Sequence, residues 1–201
     1  MSAEVPFVEL LAPHCSGNAC GRLVRYAELL ERWSRHHNLV RYRSRRELVE
    51  RHLLDSLAAA PFLAESGGLL DVGSGAGLPG VPLLVVRPGW SGTLLEPRQK
   101  RWAFLRLVVR ELGLSADVDR ARYQEITGDA TWDAITVRAV GDFAGVLDWA
   151  RPRVSVGGQV VLWTTKETEI GLRETRGWRV LSSSLPGLDR GRLVRLQPCS
   201  T

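Results

Sequence analysis

Residues 69–80, Leu69-Leu70-Asp71-Val72-Gly73-Ser74-Gly75-Ala76-Gly77-Leu78-Pro79-Gly80, are the stretch whose reading decides the fold. Leu69 to Val72 reads as the end of a buried strand, and Pro79 opens a helix after glycines at 73, 75 and 77. A strand that runs through such a turn into a helix sets backbone N–H groups beside the strand's carboxyl end, where open α/β sheets bind ligands. Glycine suits the turn because it adopts positive φ and has no Cβ to hold a ligand off the backbone.

The spacing narrows the ligand. The dinucleotide fingerprint G-x-G-x-x-G would need a third glycine where Leu78 stands, and no G-K-[ST] follows to make a phosphate-cradling P-loop. The pattern G-x-G-x-G after Asp71 resembles motif I of the class I S-adenosylmethionine (SAM) methyltransferases. That resemblance implies a loop touching the methionine part of SAM and a second acid, here Glu96, holding the ribose hydroxyls.

Downstream, strands are expected near 69–72, 93–96, 117–119, 133–137, 159–164, 178–182 and 192–196, with helices near 79–86, 98–112, 142–150 and 167–175. The alternation predicts an α/β fold, a seven-stranded, mostly parallel sheet with helices on both faces. The last two strands are joined by SSSLPGLDRG without a helix, which predicts an antiparallel hairpin at the sheet edge. Helix 98–112 is strongly basic, with an apolar stripe of Trp102, Leu105, Val109 and Leu112.

Upstream, Leu23, Tyr26, Leu30 and Trp33 predict a helix over 19–37, with Trp33 as a core anchor. A polar turn containing Asn38 follows. Ser44 and Glu47 form a capping box opening a second helix to about Ala60, stopped by Pro61. His52, Asp55 and Ser56 share one face of it, a polar trio read either as a solvated side or as a His–Asp pair closing a helix turn. Residues 1–62 are therefore read as an N-terminal helical extension and 63–201 as the sheet domain, together one compact body.

The 201 residues suit one domain with a short extension. No run approaches ~18 apolar residues, so no membrane span is expected. Glu4, Pro6 and Glu9 replace the basic start and apolar run of a signal peptide, which predicts a cytoplasmic protein. Cys15, Cys20 and Cys199 make neither a disulfide framework nor a zinc pair, and no metal site is expected. The net charge is +5, and only Lys100 and Lys166 of the 27 basic residues are lysine. That excess reads as genomic base composition or as a surface that meets phosphate. Between 32 and 51 lie seven arginines and two histidines against two acids, a stretch read as an RNA-facing patch or as a soluble helical extension.

Taken together, W-S-R-H-H-N-L at 33–39, R-H-L-L-D-S-L at 51–57, D-V-G-S-G-A-G-L-P-G at 71–80, L-L-E-P-R-Q-K-R at 94–101 and R-A at 138–139 resemble the bacterial small-subunit rRNA (guanine-N(7))-methyltransferase family, also called glucose-inhibited division protein B. The resemblance covers roughly residues 20 to 197. It implies a class I methyltransferase Rossmann-like fold, SAM as cofactor, and methyl transfer to nitrogen 7 of a guanine in small-subunit rRNA, free or in a ribosomal particle. A monomer is expected.

The roles it implies are specific. Asp71, Gly73, Gly75, Gly77 and Leu78 form the SAM loop, Glu96 binds the ribose, and Tyr123 and Gln124 border the adenine. Arg138 lies beside the methyl-transfer site. Asn38, His52, Asp55, Arg122, Lys166 and Arg192 line the site or its RNA approach. The chain departs from the family where Gln124 replaces a frequent glutamate, where Val137 replaces serine, and where Thr165-Lys166-Glu167 replaces L-K-G. Asp55 is a candidate to favour the cationic methylated guanine. A SAM enzyme of small molecules and a non-enzymatic RNA-binding module are the alternatives the residues leave open.

Overall fold

The computed structural model describes residues 4–139, 141–185 and 191–199. Its centre is a seven-stranded sheet of order β3-β2-β1-β4-β5-β7-β6. The strands are β1 (Ser66–Val72), β2 (Gly89–Leu95), β3 (Ala116–Asp119), β4 (Trp132–Arg138), β5 (Val154–Thr165), β6 (Trp178–Ser184) and β7 (Gly191–Pro198). β1 to β5 are parallel. β7 runs antiparallel between β5 and β6. The expected final hairpin is present, with the last strand tucked inside and β6 at the edge; residues 186–190 of its connection lie outside the described residues.

Period-two alternation divides the strands between two apolar layers. Leu69, Leu94 and Ala134 join the layer containing Leu23, Leu83, Phe104 and Leu105. Leu70, Leu95 and Ile135 join the other, with Val146, Leu147 and Leu172. The first layer is covered by α2 (Gly17–His37), α5 (Gly80–Val86) and α6 (Gln99–Leu112), the second by α7 (Phe143–Ala150) and α8 (Lys166–Leu172). Between β3 and β4 the described residues hold only a short turn, Tyr123–Glu125. Aromatic rings roof this part of the second layer: Trp149 meets Tyr123 edge-on at 5.4 Å and stacks on Trp132 at 6.5 Å.

The extension shares the first layer's core. Phe7, Leu10 and Leu11 of α1 (Phe7–Leu11) and Leu23, Tyr26, Ala27, Leu29 and Leu30 of α2 are buried in one apolar cluster with Leu83, Leu94 and Phe104. Trp33 sits 5.4 Å from the ring of Phe104, as its place on the stripe predicts. Asn38 ends α2 in the left-handed region at φ 47°, its N–H bonded to the Ser34 carbonyl at 3.1 Å. Asparagine tolerates that conformation because its short polar side chain eases it. Cys15 and Cys20 flank the Ser16 N-cap at the positions where an apolar pair fixes the chain's entry into a helix.

The second predicted helix is corrected in its interior. Ser44 caps it, accepting from the Glu47 N–H at 3.2 Å, while the Glu47 carboxylate takes the N–H of Arg43 at 2.7 Å. After α3 (Arg45–Leu48) the chain widens into a π-turn over Val49–Leu54 and returns to α4 (Asp55–Leu57). A π-turn displaces carbonyls from the regular α ladder, and such turns gather at functional sites. Here a side chain from β4 takes up the carbonyls of Arg51 and His52.

Phe104 is wholly buried at the junction of extension and sheet. Phe104→Ala should destabilise the chain by about 3–5 kcal/mol in urea unfolding monitored by circular dichroism.

Candidate active site

The carboxyl ends of β1, β2 and β4 converge on the glycine turn. Asp71, fully buried, holds the turn from below. One carboxylate oxygen accepts from Thr136 Oγ1 on β4 at 2.8 Å and the other from the Gly80 N–H at 3.2 Å. Burial pushes Asp71 up to about 6, against hydrogen bonds from Thr136, Ser74 and Gly80. A Cβ on Gly80 would stand 2.7 Å from Asp71 Oδ2 and from Leu94, so only glycine lets the helix start seat on that carboxylate. Asp71 thus braces the loop from behind.

Above it the loop is tied at each step. Ser74 N–H donates to the Leu95 carbonyl at 2.8 Å, and the Gly77 and Leu78 N–H groups donate to the Ser74 carbonyl at 2.7 and 3.2 Å. Gly75 N–H donates to Glu96 Oε2 at 3.0 Å, and Arg98 N–H to Glu96 Oε1 at 2.8 Å. Glu96 is 3% exposed, and two hydrogen bonds leave acceptor capacity on a carboxylate that has about four lone-pair sites. A sharp backbone cradle beside a carboxylate that can accept from a diol fits the loop and ribose contacts of SAM. Tyr26 of α2 completes the tie: its hydroxyl donates to the Ala76 carbonyl at 2.7 Å.

A second cluster forms where β4 meets the extension. Arg138 Nη2 donates to the Arg51 carbonyl at 3.0 Å, and Nη1 donates to the His52 carbonyl and Ser56 Oγ, each at 3.3 Å. The guanidinium also pairs with Asp55 Oδ2 at 3.5 Å. Asp55 is 2% exposed, and burial pushes it up to about 6, opposed by the charges of Arg138 and Arg51. Burial likewise lowers Arg138 and, with the Arg138 charge, His52, whose Nε2 donates to the Arg41 carbonyl at 3.2 Å. Ala139 follows at φ 59°, a left-handed turn that ends the strand directly after Arg138.

The structure thus unites His52, Asp55 and Arg138 with Ser56, and the loop glycines with Glu96. Arg122 and Gln124 are exposed and Tyr123 half-buried in the turn after β3, and Lys166 is exposed where β5 ends. Asn38 serves at the end of α2, with its side chain exposed. Arg192 is turned inward: its Nε lies 3.2 Å from Glu169 of α8, an ion pair that fastens α8 to β7. Asp55 lies beneath Arg138, so it acts on the site by holding that guanidinium. Sequence reading missed Tyr26, Thr136 and Trp163, whose Nε1 donates to the Asp55 carbonyl at 2.7 Å. The usable signal was chemical: a buried tyrosine or tryptophan needs a partner for its polar atom.

Volume does not locate this site. A hollow of about 740 Å3 between α6 and β3, lined by Trp102, Arg106, Arg110 and Val118, contains none of the loop residues.

The order of strands, the antiparallel β7 and the loop at the β1 edge define a class I methyltransferase fold. Solved structures agree: a methyltransferase from Geobacter sulfurreducens superposes with a TM-score of 0.64 at 14% identity, over 87% of this chain and 89% of that one. A SAM dependent methyltransferase from Aquifex aeolicus gives 0.61 at 18% identity, over 75% and 92%. Residues 19–184 match the family described as GidB, rRNA small subunit methyltransferase G, and the chain belongs to that family. Its relatives include the ribosomal RNA small subunit methyltransferase G of Xanthomonas campestris pv. campestris (strain 8004), 39% identical over 83% of this chain and 81% of the relative. That of Alkalilimnicola ehrlichii is 38% identical over 90% and 84%.

The Arg138 cluster makes a pH-dependent prediction. A carboxyl raised from 3.8 to about 6 on folding keeps its proton longer in the native state, so its contribution to stability falls as pH rises through that interval. Removing Arg138 strands a buried charge only where Asp55 is ionised. Arg138→Ala should therefore cost about 3–5 kcal/mol at pH 8 and clearly less at pH 5, read from urea unfolding of variant and parent at both values.

Proposed function

We propose that this chain transfers the methyl group of SAM to nitrogen 7 of a guanine in small-subunit (16S) rRNA. The observation that carries the reading is the glycine loop closed on Glu96 beside the Arg138 cluster, in a chain of the rRNA small subunit methyltransferase G family.

SAM supplies a methyl group already activated by its sulfonium. Guanine nitrogen 7 has a lone pair outside the aromatic system, so no base need first remove a proton. What remains for the protein is placement and a matched field. The backbone of Gly73 to Leu78 takes the methionine part and Glu96 the ribose, with Tyr123 and Gln124 beside the adenine. Arg138, fixed at four atoms, the Arg51 and His52 carbonyls, Ser56 Oγ and Asp55 Oδ2, has little freedom and shapes the wall against which the base is set. Burial and that guanidinium lower the His52 pKa, a direction that suits a site receiving a base that becomes cationic.

Nitrogen 7 faces the deep, narrow groove of A-form RNA, so the target base is unpaired or turned out of its stack. The basic stretch supplies the grip. Arg35, Arg45, Arg46 and Arg51 form ion pairs with Glu31, Glu4, Glu50 and Glu47. Arg32, Arg41 and Arg43 are exposed and form no ion pair among the described residues. The Arg46–Glu50 pair is exposed on both sides, so it is weak, about 0–1 kcal/mol, and exchanges readily for phosphate, whereas Arg45 is held at two points on buried Glu31. With Arg122 and Lys166 these arginines make an approach for RNA, while Arg192 acts by seating α8, whose first residue is Lys166. We place the protein in the cytoplasm as a monomer, with its rRNA substrate. No helix among the described residues is long and apolar enough to cross a membrane.

Labelled SAM incubated with ribosomal RNA and particles from cells lacking the protein should yield 7-methylguanosine in the small-subunit rRNA. No label in any RNA, with SAM binding intact, overturns the reading in favour of a small-molecule substrate. Arg122→Ala should weaken RNA binding and lower the slope of log affinity against log salt by about one.

A further inference from the structure

The glycine loop is held by a residue of the extension that no reading of the methyl-transfer site includes. Three glycines in five residues leave Gly73 to Gly77 conformationally loose as an isolated chain. Its N–H groups are tied to Ser74, Leu95 and Glu96, all within the sheet domain. The Ala76 carbonyl is different. It takes the hydroxyl of Tyr26 at 2.7 Å, across 50 residues of sequence, and Ala76 is itself 7% exposed. Next to it Gly77 sits at φ +92°, where a Cβ would lie 3.1 Å from the Tyr26 oxygen and 2.7 Å from Val81. The phenol therefore abuts the bare α carbon of the loop.

Tyr26 cannot easily give way. It is wholly buried near the middle of α2, whose Leu23, Leu29 and Leu30 are fixed in the same core and whose Trp33 packs on Phe104 of α6. Burial raises its phenol well above its ordinary value, so the hydroxyl keeps its proton and remains a donor.

We propose that Tyr26 is a positioning residue for the cofactor: its hydroxyl holds the glycine loop in the cradle conformation, so that the N-terminal extension sets the affinity for SAM. This rests on the reading of the loop as a SAM site. Without the hydroxyl, the Ala76 carbonyl is left buried and unpaired. The loop then turns to hydrate it and must be reordered each time the cofactor binds.

Tyr26→Phe in the full chain is the test, since it removes one oxygen and keeps the ring. Calorimetry should show SAM binding weakened roughly 3- to 10-fold, the worth of one hydrogen bond. KM for SAM should rise with it, while KM for the rRNA substrate stays at the parent value. Hydrogen exchange at the Gly77 and Leu78 amides should quicken, with the amides of β1 and β4 unchanged. Tyr26→Leu, which also loses the ring, should lower the melting temperature further yet add little to the SAM defect. A Tyr26→Phe chain whose SAM affinity stays within about two-fold of the parent, or whose loop amides exchange as before, overturns the proposal. If the parent itself binds no SAM, the methyltransferase reading falls first. If the parent binds and the variant binds equally, only the role of Tyr26 falls.

Discussion

One buried carboxylate underlies the rest of the molecule. Asp71 ends a strand in the middle of the sheet, where no water reaches it, and its two oxygens join three elements: its own strand, β4 through Thr136, and the first residue of α5 through the Gly80 amide. Buried charges persist only when so bonded. The consequence is geometric. The distance between β4 and the start of α5 is set by one side chain, and the turn above it has its two ends fixed. The conformation of the glycines, the meeting of Gly75 with Glu96 and the placing of Arg138 on the neighbouring strand all follow from that anchor.

The extension is part of the same structure, not an attachment to it. Its apolar residues lie in one cluster with those of α5 and α6, and its polar contacts run to every strand end that matters: Tyr26 to the loop, Asp55 to Trp163 of β5, and the π-turn to Arg138 of β4. At the opposite end of the sheet, the Phe62 carbonyl takes the amide of Gln159 at 2.7 Å and the Ala60 carbonyl takes Arg87. The segment proposed to meet RNA and the sheet proposed to hold cofactor are thus one solid.

What the sequence disclosed was what depends on near neighbours. The strands show as short runs alternating with helices, the central ones nearly continuously apolar, and α2 and α6 through stripes ended by Asn38 and Gly113, both in the left-handed region. The glycine turn was legible because strand, turn and helix stand within twelve residues. The remainder depends on partners far along the chain. The π-turn looked like plain helix because the guanidinium that takes its carbonyls comes from 86 and 87 residues away. Asp55 read as a site carboxylate because its burial under Arg138 is a tertiary fact. Arg192 read as an RNA contact until sheet order brought it to Glu169. Tyr26 was legible as apolar, and its hydroxyl was not, since a stripe records where a ring is buried and not what its oxygen meets.

The two sides of α2 answer to different demands. Tyr26, Ala27, Leu29 and Leu30 are sealed by packing, whereas Arg25, Glu28, Arg32 and Arg35 face outward from the same turns. Substitutions on the outer side leave the buried side untouched. Such a helix lets descendants drift in what they grip while inheriting an unaltered cradle, so that new substrates are reached by repainting a surface and not by rebuilding a core.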